Sequence, residues 1–271
     1  MFSLSKNMRK KIIVFTDLDG TLLDYETYSF KEALPALNLL KKKQIPLVIC
    51  TSKTRVEIEY YRKKLENKDP FIVENGGAIF IPKNYFSFPF KHDREDGYYY
   101  IIELGIHYKD LRKIVKLIEK QVKVRGFGDM NIKEIAEDAN LSLEQAKLAK
   151  QREYVEALKI IDEKDKEKLL MLIKKYKLDY VEGDRYLHVS GGNDKGKAVK
   201  ELLKLYKKEY KDIESYGFGD SDNDFKMLDV VDHPYLVQKV DSSYASDKYN
   251  KAQGIGPEGW NKTVLEIFSK I

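Results

Sequence analysis

Ile12-Ile13-Val14-Phe15-Thr16-Asp17-Leu18-Asp19-Gly20-Thr21 decides the fold of this chain. Four apolar residues in a row, Ile12–Phe15, followed by turn chemistry read as a buried strand of a parallel sheet. Asp17 and Asp19 then stand at the strand's carboxyl end, the edge at which open α/β sheets bind ligands. Gly20 lets the backbone turn sharply behind them.

Outward from that strand, apolar Ala33, Leu34, Leu37, Leu39 and Leu40 predict a helix over 31–43. It ends in Lys41-Lys42-Lys43, the charge a helix C-terminus favours. A strand over 46–50 ends at Thr51-Ser52, a helix follows over Thr54–Leu65, and then a strand, Phe71-Ile72-Val73. Asn75-Gly76-Gly77 supplies turn chemistry for a hairpin back through Ala78–Ile81. From about residue 84 the pattern changes. The run Tyr98–Leu104, a helix over Tyr108–Gln121, helices near 131–138 and 142–152, a strand over Val155–Ile160, a helix near 163–176 and strands around 179–189 predict an α+β insertion. After Ser190-Gly191-Gly192 the alternation resumes: helix Lys195–Tyr206, strand Ile213–Phe218, a short helix at 222–228, strand Tyr235–Val237 and a last helix from Lys262. The expected class is α/β, a Rossmann-like parallel-sheet core of residues 1–83 and 188–271 with an inserted domain of 84–187.

Composition narrows the class of activity. The chain has 271 residues, 42% hydrophobic and 34% charged, which suits a globular protein and excludes a disordered one. Its 49 basic and 44 acidic side chains leave +5, spread evenly apart from Arg9-Lys10-Lys11 on the flank of the first strand. That argues against a nucleic-acid partner. The Lys- and Glu-weighted charge resembles proteins from hot environments. Cys50 is the single cysteine, so no intrachain disulfide forms and a cytoplasmic, reducing location is expected. No apolar run reaches the ~20 residues of a membrane span, so no membrane partner is expected. Tyr98-Tyr99-Tyr100 lacks interleaved basic residues and reads as a half-buried strand. The four histidines form no metal pattern.

Three separated segments carry the chemistry. Asp17 is the candidate nucleophile, since a carboxylate can attack phosphorus and divide one hard hydrolysis into two steps. Asp19 is placed to protonate a leaving alcohol and then to take a proton from water. Thr51 and Ser52 end a strand where hydroxyl and backbone N–H groups can cradle phosphate oxygens. Lys195 opens a helix, where a cation faces the dipole unfavourably. A purpose for it is to neutralise charge on a transferring phosphoryl group. Gly219-Asp220-Ser221-Asp222-Asn223-Asp224 follows a second strand. With Mg²⁺ as the expected cofactor, Asp17, the Asp19 carbonyl and Asp220 would be ligands, and Asp224 would orient them from behind.

In this order the segments resemble the motifs of the haloacid dehalogenase superfamily of Mg²⁺-dependent aspartyl phosphatases. The size of the insertion resembles that superfamily's type-IIB cap. A finer resemblance, to the mannosyl-3-phosphoglycerate phosphatase family, runs through Thr51–Thr54, Glu74–Pro82, Gly126–Met130, Ala149–Tyr154 and Gly254–Trp260. It implies a small anionic substrate, a phosphorylated sugar derivative, and a role in making a compatible solute. It also implies that Lys53, Arg152 and Ser190 lie near the glycerate carboxylate or sugar, with Gly128 and Asp129 suited to sugar hydroxyls. After Tyr154 the chain reads Val155-Glu156-Ala157-Leu158 where that family tends to carry an acidic residue, Pro and Phe. The resemblance therefore leaves mannosyl and glucosyl substrates open. A phosphomannomutase-type phosphotransferase and a phosphatase for another sugar phosphate are the alternatives; a catalytically silent binding protein is disfavoured because Asp17, Asp19, Lys195 and Asp220 are all present.

Overall fold

A computed structural model describes residues 10–183 and 185–270; Arg9 of the basic flank lies outside the described residues. In chain order the elements are β1 (Lys11–Thr16), α1 (Leu34–Lys42), β2 (Leu47–Cys50), α2 (Arg55–Leu65), β3 (Phe71–Val73), β4 (Ala78–Pro82), β5 (Arg94–Glu95), β6 (Tyr99–Glu103) and α3 (Tyr108–Glu119). They continue with β7 (Val124–Gly126), α4 (Ile132–Ala139), α5 (Leu143–Ala149), β8 (Val155–Ile160), α6 (Lys166–Lys175), β9 (Asp179–Glu182), β10 (Leu187–Ser190) and α7 (Lys195–Tyr210). The last are β11 (Ile213–Gly219), α8 (Phe225–Leu228), β12 (His233–Gln238), β13 (Asn250–Ile255) and α9 (Gly256–Phe268). Among the described residues no helix is long and apolar enough to cross a membrane.

The chain divides into two compact units. Of the described residues, one takes those up to Val48, Phe86–Phe90 and those from Lys200; the other takes those of Ile49–Tyr85 and Lys91–Val199. In the first unit the strand order is β13-β12-β11-β1, then the beginning of β2. β1 runs parallel to β11 with Val14 beside Tyr216, and β11 to β12 and β12 to β13 are parallel too. Ile13, Val14 and Phe15 have no exposed surface, as a strand covered on both faces requires. α9 seals this unit: Trp260 and Phe268 are buried, their rings meeting Phe218 at 6.0 Å and Tyr216 at 4.9 Å.

In the second unit the end of β2 pairs with β3 in parallel, and β3 turns through residues 74–77 into antiparallel β4, as the Asn-Gly-Gly signal predicted. A separate antiparallel sheet has the order β7-β8-β10-β9. One of its faces carries Leu158, Leu187 and Val189 onto Leu111, Val115 and Ile118 of α3 and Leu169, Leu172 and Ile173 of α6. The other carries Ala157 onto Phe127, Met130, Ile135 and Ala146. This is the period-2 division of a strand between two hydrophobic clusters.

Four readings need correction. The run Tyr98–Leu104 was expected beside the other inserted strands, but β6 pairs with β4, Ile79 opposite Ile102. A hairpin leaves one apolar edge, and the Tyr-Ile-rich run satisfies it. The last helix starts at Gly256 rather than Lys262, with Pro257 in its first turn, where a missing N–H costs nothing. β13 went unseen because Asn250-Lys251-Ala252-Gln253 is too polar to read as a strand. The helix expected over 31–43 opens as a 3-10 turn, Lys31–Ala33, before α1 begins at Leu34 with Pro35 in its first turn.

Candidate active site

The acidic residues come together in the first unit. Asp17 follows β1, and its N–H donates to the Phe218 carbonyl at 2.9 Å, continuing the β1–β11 ladder. That ladder sets the ends of both strands side by side, so Asp220, one residue past β11, arrives beside the Asp17 loop. The loop is closed by N–H bonds from Thr21 and Leu23 to the Leu18 carbonyl, at 3.1 and 2.8 Å. Gly20 has φ +71°, and a Cβ there would lie 2.8 Å from Asp220 Oδ2. Glycine is therefore required twice, by the left-handed backbone and by the passing carboxylate. Thr21 Oγ1 donates to Asp220 Oδ1 at 3.3 Å.

Asp224 is wholly buried. Its Oδ2 accepts the N–H of Asp220 at 3.1 Å and of Ser221 at 3.3 Å, which fixes the backbone that carries Asp220. Asp17, Asp220 and Asp224 each bring a carboxylate oxygen within 4.8 Å of the others. Three anionic oxygens so close repel one another unless a cation lies among them, and an all-oxygen set suits a hard divalent ion.

In the second unit Thr51 directly follows β2 and has no exposed surface. Its carbonyl accepts the N–H of Asn75 at 2.9 Å, and the Lys53 carbonyl accepts that of Glu74 at 3.1 Å. The Lys53 ammonium lies 3.9 Å from Glu57. Thr54 caps α2 in a reciprocal box with Glu57, so the turn from Thr51 to Thr54 is held at both ends. Lys195 opens α7 with 2% of its surface exposed, so it is not a solvated surface lysine. Gly76, at φ +91°, passes so close to Asp194 that a Cβ would lie 2.3 Å from its carbonyl carbon.

Arg152 follows α5. It donates through Nε to the Ala149 carbonyl at 2.9 Å and through Nη1 to the Ser52 carbonyl at 3.2 Å, and it lies 5.8 Å over the Phe127 ring. Ser52 and Arg152 are thus brought together, with the turn carrying Gly128 beside them. Lys150 Nζ donates to the carbonyls of Phe127, at 2.8 Å, and Met130. Ser190 ends β10, paired with Val155 and Asp179.

Asp129 is already engaged: both its oxygens accept from Arg112 Nη2 at 2.8 Å, and Lys116 donates to one. Burial works to raise its pKa, but Lys116, Glu119 and Arg112 hold it down to about 2. The Gly128 N–H donates to Glu156 at 3.2 Å. Glu156, wholly buried in β8, also accepts from Tyr108 and Arg112 at 2.8 Å each; burial nevertheless raises its pKa. Arg112 and Glu156 escaped the reading of the sequence, although a glutamate inside Val155-Glu156-Ala157-Leu158 is itself a signal that a cation waits nearby. His188, on β10, has an enclosed Nδ1 without a hydrogen-bond partner, and burial followed by the charge of Arg152 pushes its pKa down to about 4. Glu74 was quoted only within a longer segment. It is fully buried, and burial pushes it up to about 7 against Arg152 and two backbone N–H groups.

A strand-end aspartate, an acidic cluster beside it and a buried lysine at a helix start are the parts of a phosphoryl-transfer enzyme, and comparison gives the class. The haloacid dehalogenase-like hydrolases match residues 14–244, and the chain belongs to that family. Among its relatives, the glucosyl-3-phosphoglycerate/mannosyl-3-phosphoglycerate phosphatase of Methanococcoides burtonii is 47% identical over 267 residues, covering 96% of this chain and 98% of that one. The mannosyl-3-phosphoglycerate phosphatase of Pyrococcus furiosus is 43% identical over 225 residues, covering 83% and 90%. The fold is shared with a subclass IIB sugar phosphatase of the superfamily, at a TM-score of 0.64, 19% identity and coverage of 96% and 99%. The fold is α/β, with a parallel-sheet core and a separate antiparallel sheet flanked by helices.

Proposed function

We propose that this phosphomonoester hydrolase removes phosphate from glucosyl-3-phosphoglycerate and mannosyl-3-phosphoglycerate, releasing the glycosylglycerate, a compatible solute. The observation that carries the reading is likeness over nearly the whole chain to phosphatases named for both substrates.

In the proposed reaction an Asp17 oxygen attacks phosphorus while Asp19 protonates the departing glycerate oxygen. Asp19 then takes a proton from the water that attacks the aspartyl phosphate, freeing inorganic phosphate and restoring Asp17. Asp17, Asp220 and the Asp19 carbonyl would hold Mg²⁺, with Asp224 orienting Asp220. Bound there, the ion would offset the negative charge shared by carboxylate and phosphate. Thr51, Ser52 and Lys195 serve the phosphoryl oxygens. Arg152 and Lys53 meet the glycerate carboxylate, for which a planar guanidinium is the matching shape, while Gly128, Asp129 and Ser190 line the sugar.

The test is phosphate release from both glycosyl esters, with and without Mg²⁺ after exhaustive chelation. Release from both, lost on chelation and restored by Mg²⁺, is expected. Faster turnover of glucose 6-phosphate than of either ester would overturn the substrate, and full activity after chelation would overturn the metal.

A further inference from the structure

Glu74 has no part in the chemistry above, yet it sits where three segments of the site meet. It and Asn75 occupy the left-handed region at φ 47° and 58°, a costly backbone for two successive residues with side chains. Its N–H donates to the Lys53 carbonyl at 3.1 Å, and its carbonyl accepts from Asn193 Nδ2 at 2.7 Å. Its carboxylate accepts the N–H of Glu153 at 2.8 Å through Oε1 and that of Tyr154 at 3.0 Å through Oε2. Segments 51–53, 152–154 and 193–195 are thereby tied to one buried residue.

An anion without surface exposure is expensive to keep unless every oxygen is used, and here both are. What the carboxylate grips is the backbone directly after Arg152. We infer that Glu74 is a positioning residue for substrate recognition: by clamping the Glu153 and Tyr154 amides it holds the Arg152 guanidinium in register with the Thr51–Lys53 turn. The inference rests on the reading of Arg152 as the partner of the glycerate carboxylate.

The side chains of the clamped residues are anchored independently. Glu153 receives Arg55 Nε at 2.8 Å and Arg94 Nη2 at 2.9 Å, and the Tyr154 hydroxyl donates to Glu103 at 2.6 Å. Altering Glu74 should therefore loosen the guanidinium without unfolding the segment.

The experiment is a double-mutant cycle of Glu74→Gln and Arg152→Ala, each assayed on glucosyl-3-phosphoglycerate and on p-nitrophenyl phosphate with Mg²⁺. A glutamine sets an NH₂ against one of the two amides. KM for the glycosyl ester should rise about tenfold, and kcat/KM on the small ester should stay within about twofold. In the Arg152→Ala background the same change should add less than about twofold. Glu74→Asp, which keeps the charge and shortens the reach, should show the selective effect in smaller degree with an unchanged melting temperature; it decides the question if Glu74→Gln does not fold. If Arg152→Ala is selective for the glycosyl ester while Glu74 variants harm both esters equally, or add fully to Arg152→Ala, Glu74 merely supports the fold. If Arg152→Ala is itself unselective, the reading of Arg152 falls and this role of Glu74 falls with it.

Discussion

Each of the two loop aspartates admits a separate prediction. Asp17→Asn should abolish turnover and keep the fold, because an amide cannot form an acyl phosphate; vanadate soaked into wild-type crystals should lie against that carboxylate, and its binding elsewhere would refute the assignment. Asp19→Asn should lower kcat by about 10²–10⁴-fold, the worth of a placed proton donor. Two buried groups set opposing pH dependences. Glu74 is raised from 4.5 to about 7, so its contribution to stability is fullest below pH 4.5 and is lost as the pH rises through 7. His188 is lowered from 6.5 to about 4, so its contribution is present above 6.5 and is lost as the pH falls through 4. Urea unfolding at pH 4, 5.5 and 7 should show Glu74→Gln losing more stability toward acid than the wild type and His188→Asn losing less. Variants that follow the wild-type profile would show that neither group titrates as described.

Among the elements, legibility in the sequence followed distance along the chain. β1 and its loop, the hairpin at Asn75-Gly76-Gly77 and the helix start at Thr54 are local patterns, and the structure repeats them. Partnerships between distant residues left no such trace. Nothing near Glu156 in the sequence names Arg112, 44 residues away, and nothing in Tyr98–Leu104 says which sheet it joins. Polar β13 was hidden because its strand character comes from pairing with β12 rather than from its side chains. The pair of β8 and α3 yields a test: Arg112→Ala leaves Glu156 buried without its cation and should cost about 3–5 kcal/mol of unfolding free energy. Arg112→Met combined with Glu156→Gln should recover most of it, because no wholly buried ionised group is then stranded and Asp129 keeps Lys116. A single variant as stable as the wild type would mean that Glu156 is neutral in the native protein.

For the whole molecule, the acidic site was the more legible half, since strand ends in a parallel sheet must converge. The second unit's polar network was the less legible, since it is built from groups meeting across α3, β8 and the turn after β7. The first unit draws its strands from both ends of the chain, and Asp17 and Asp220 are separated by the whole second unit. This has a consequence for biosynthesis. At about 5–20 residues per second, a ribosome needs roughly 10–40 s between making β1 and making β11. Through that interval one edge of a largely apolar strand has no partner, a template for mispairing that the finished protein does not present. Residues 49–199 emerge in the meantime with two hydrophobic clusters of their own. Ribosomes arrested just after residue 199 has cleared the exit tunnel should carry a protease-resistant fragment of that span joined to a leading segment that is digested, and the leading segment should become resistant only once β11 has cleared the tunnel too. Early resistance of both would mean that β1 finds a temporary partner during synthesis. Otherwise Asp17 is made long before it is sheltered, and its cluster with Asp220 and Asp224 is completed only after residues 49–199 have been synthesised.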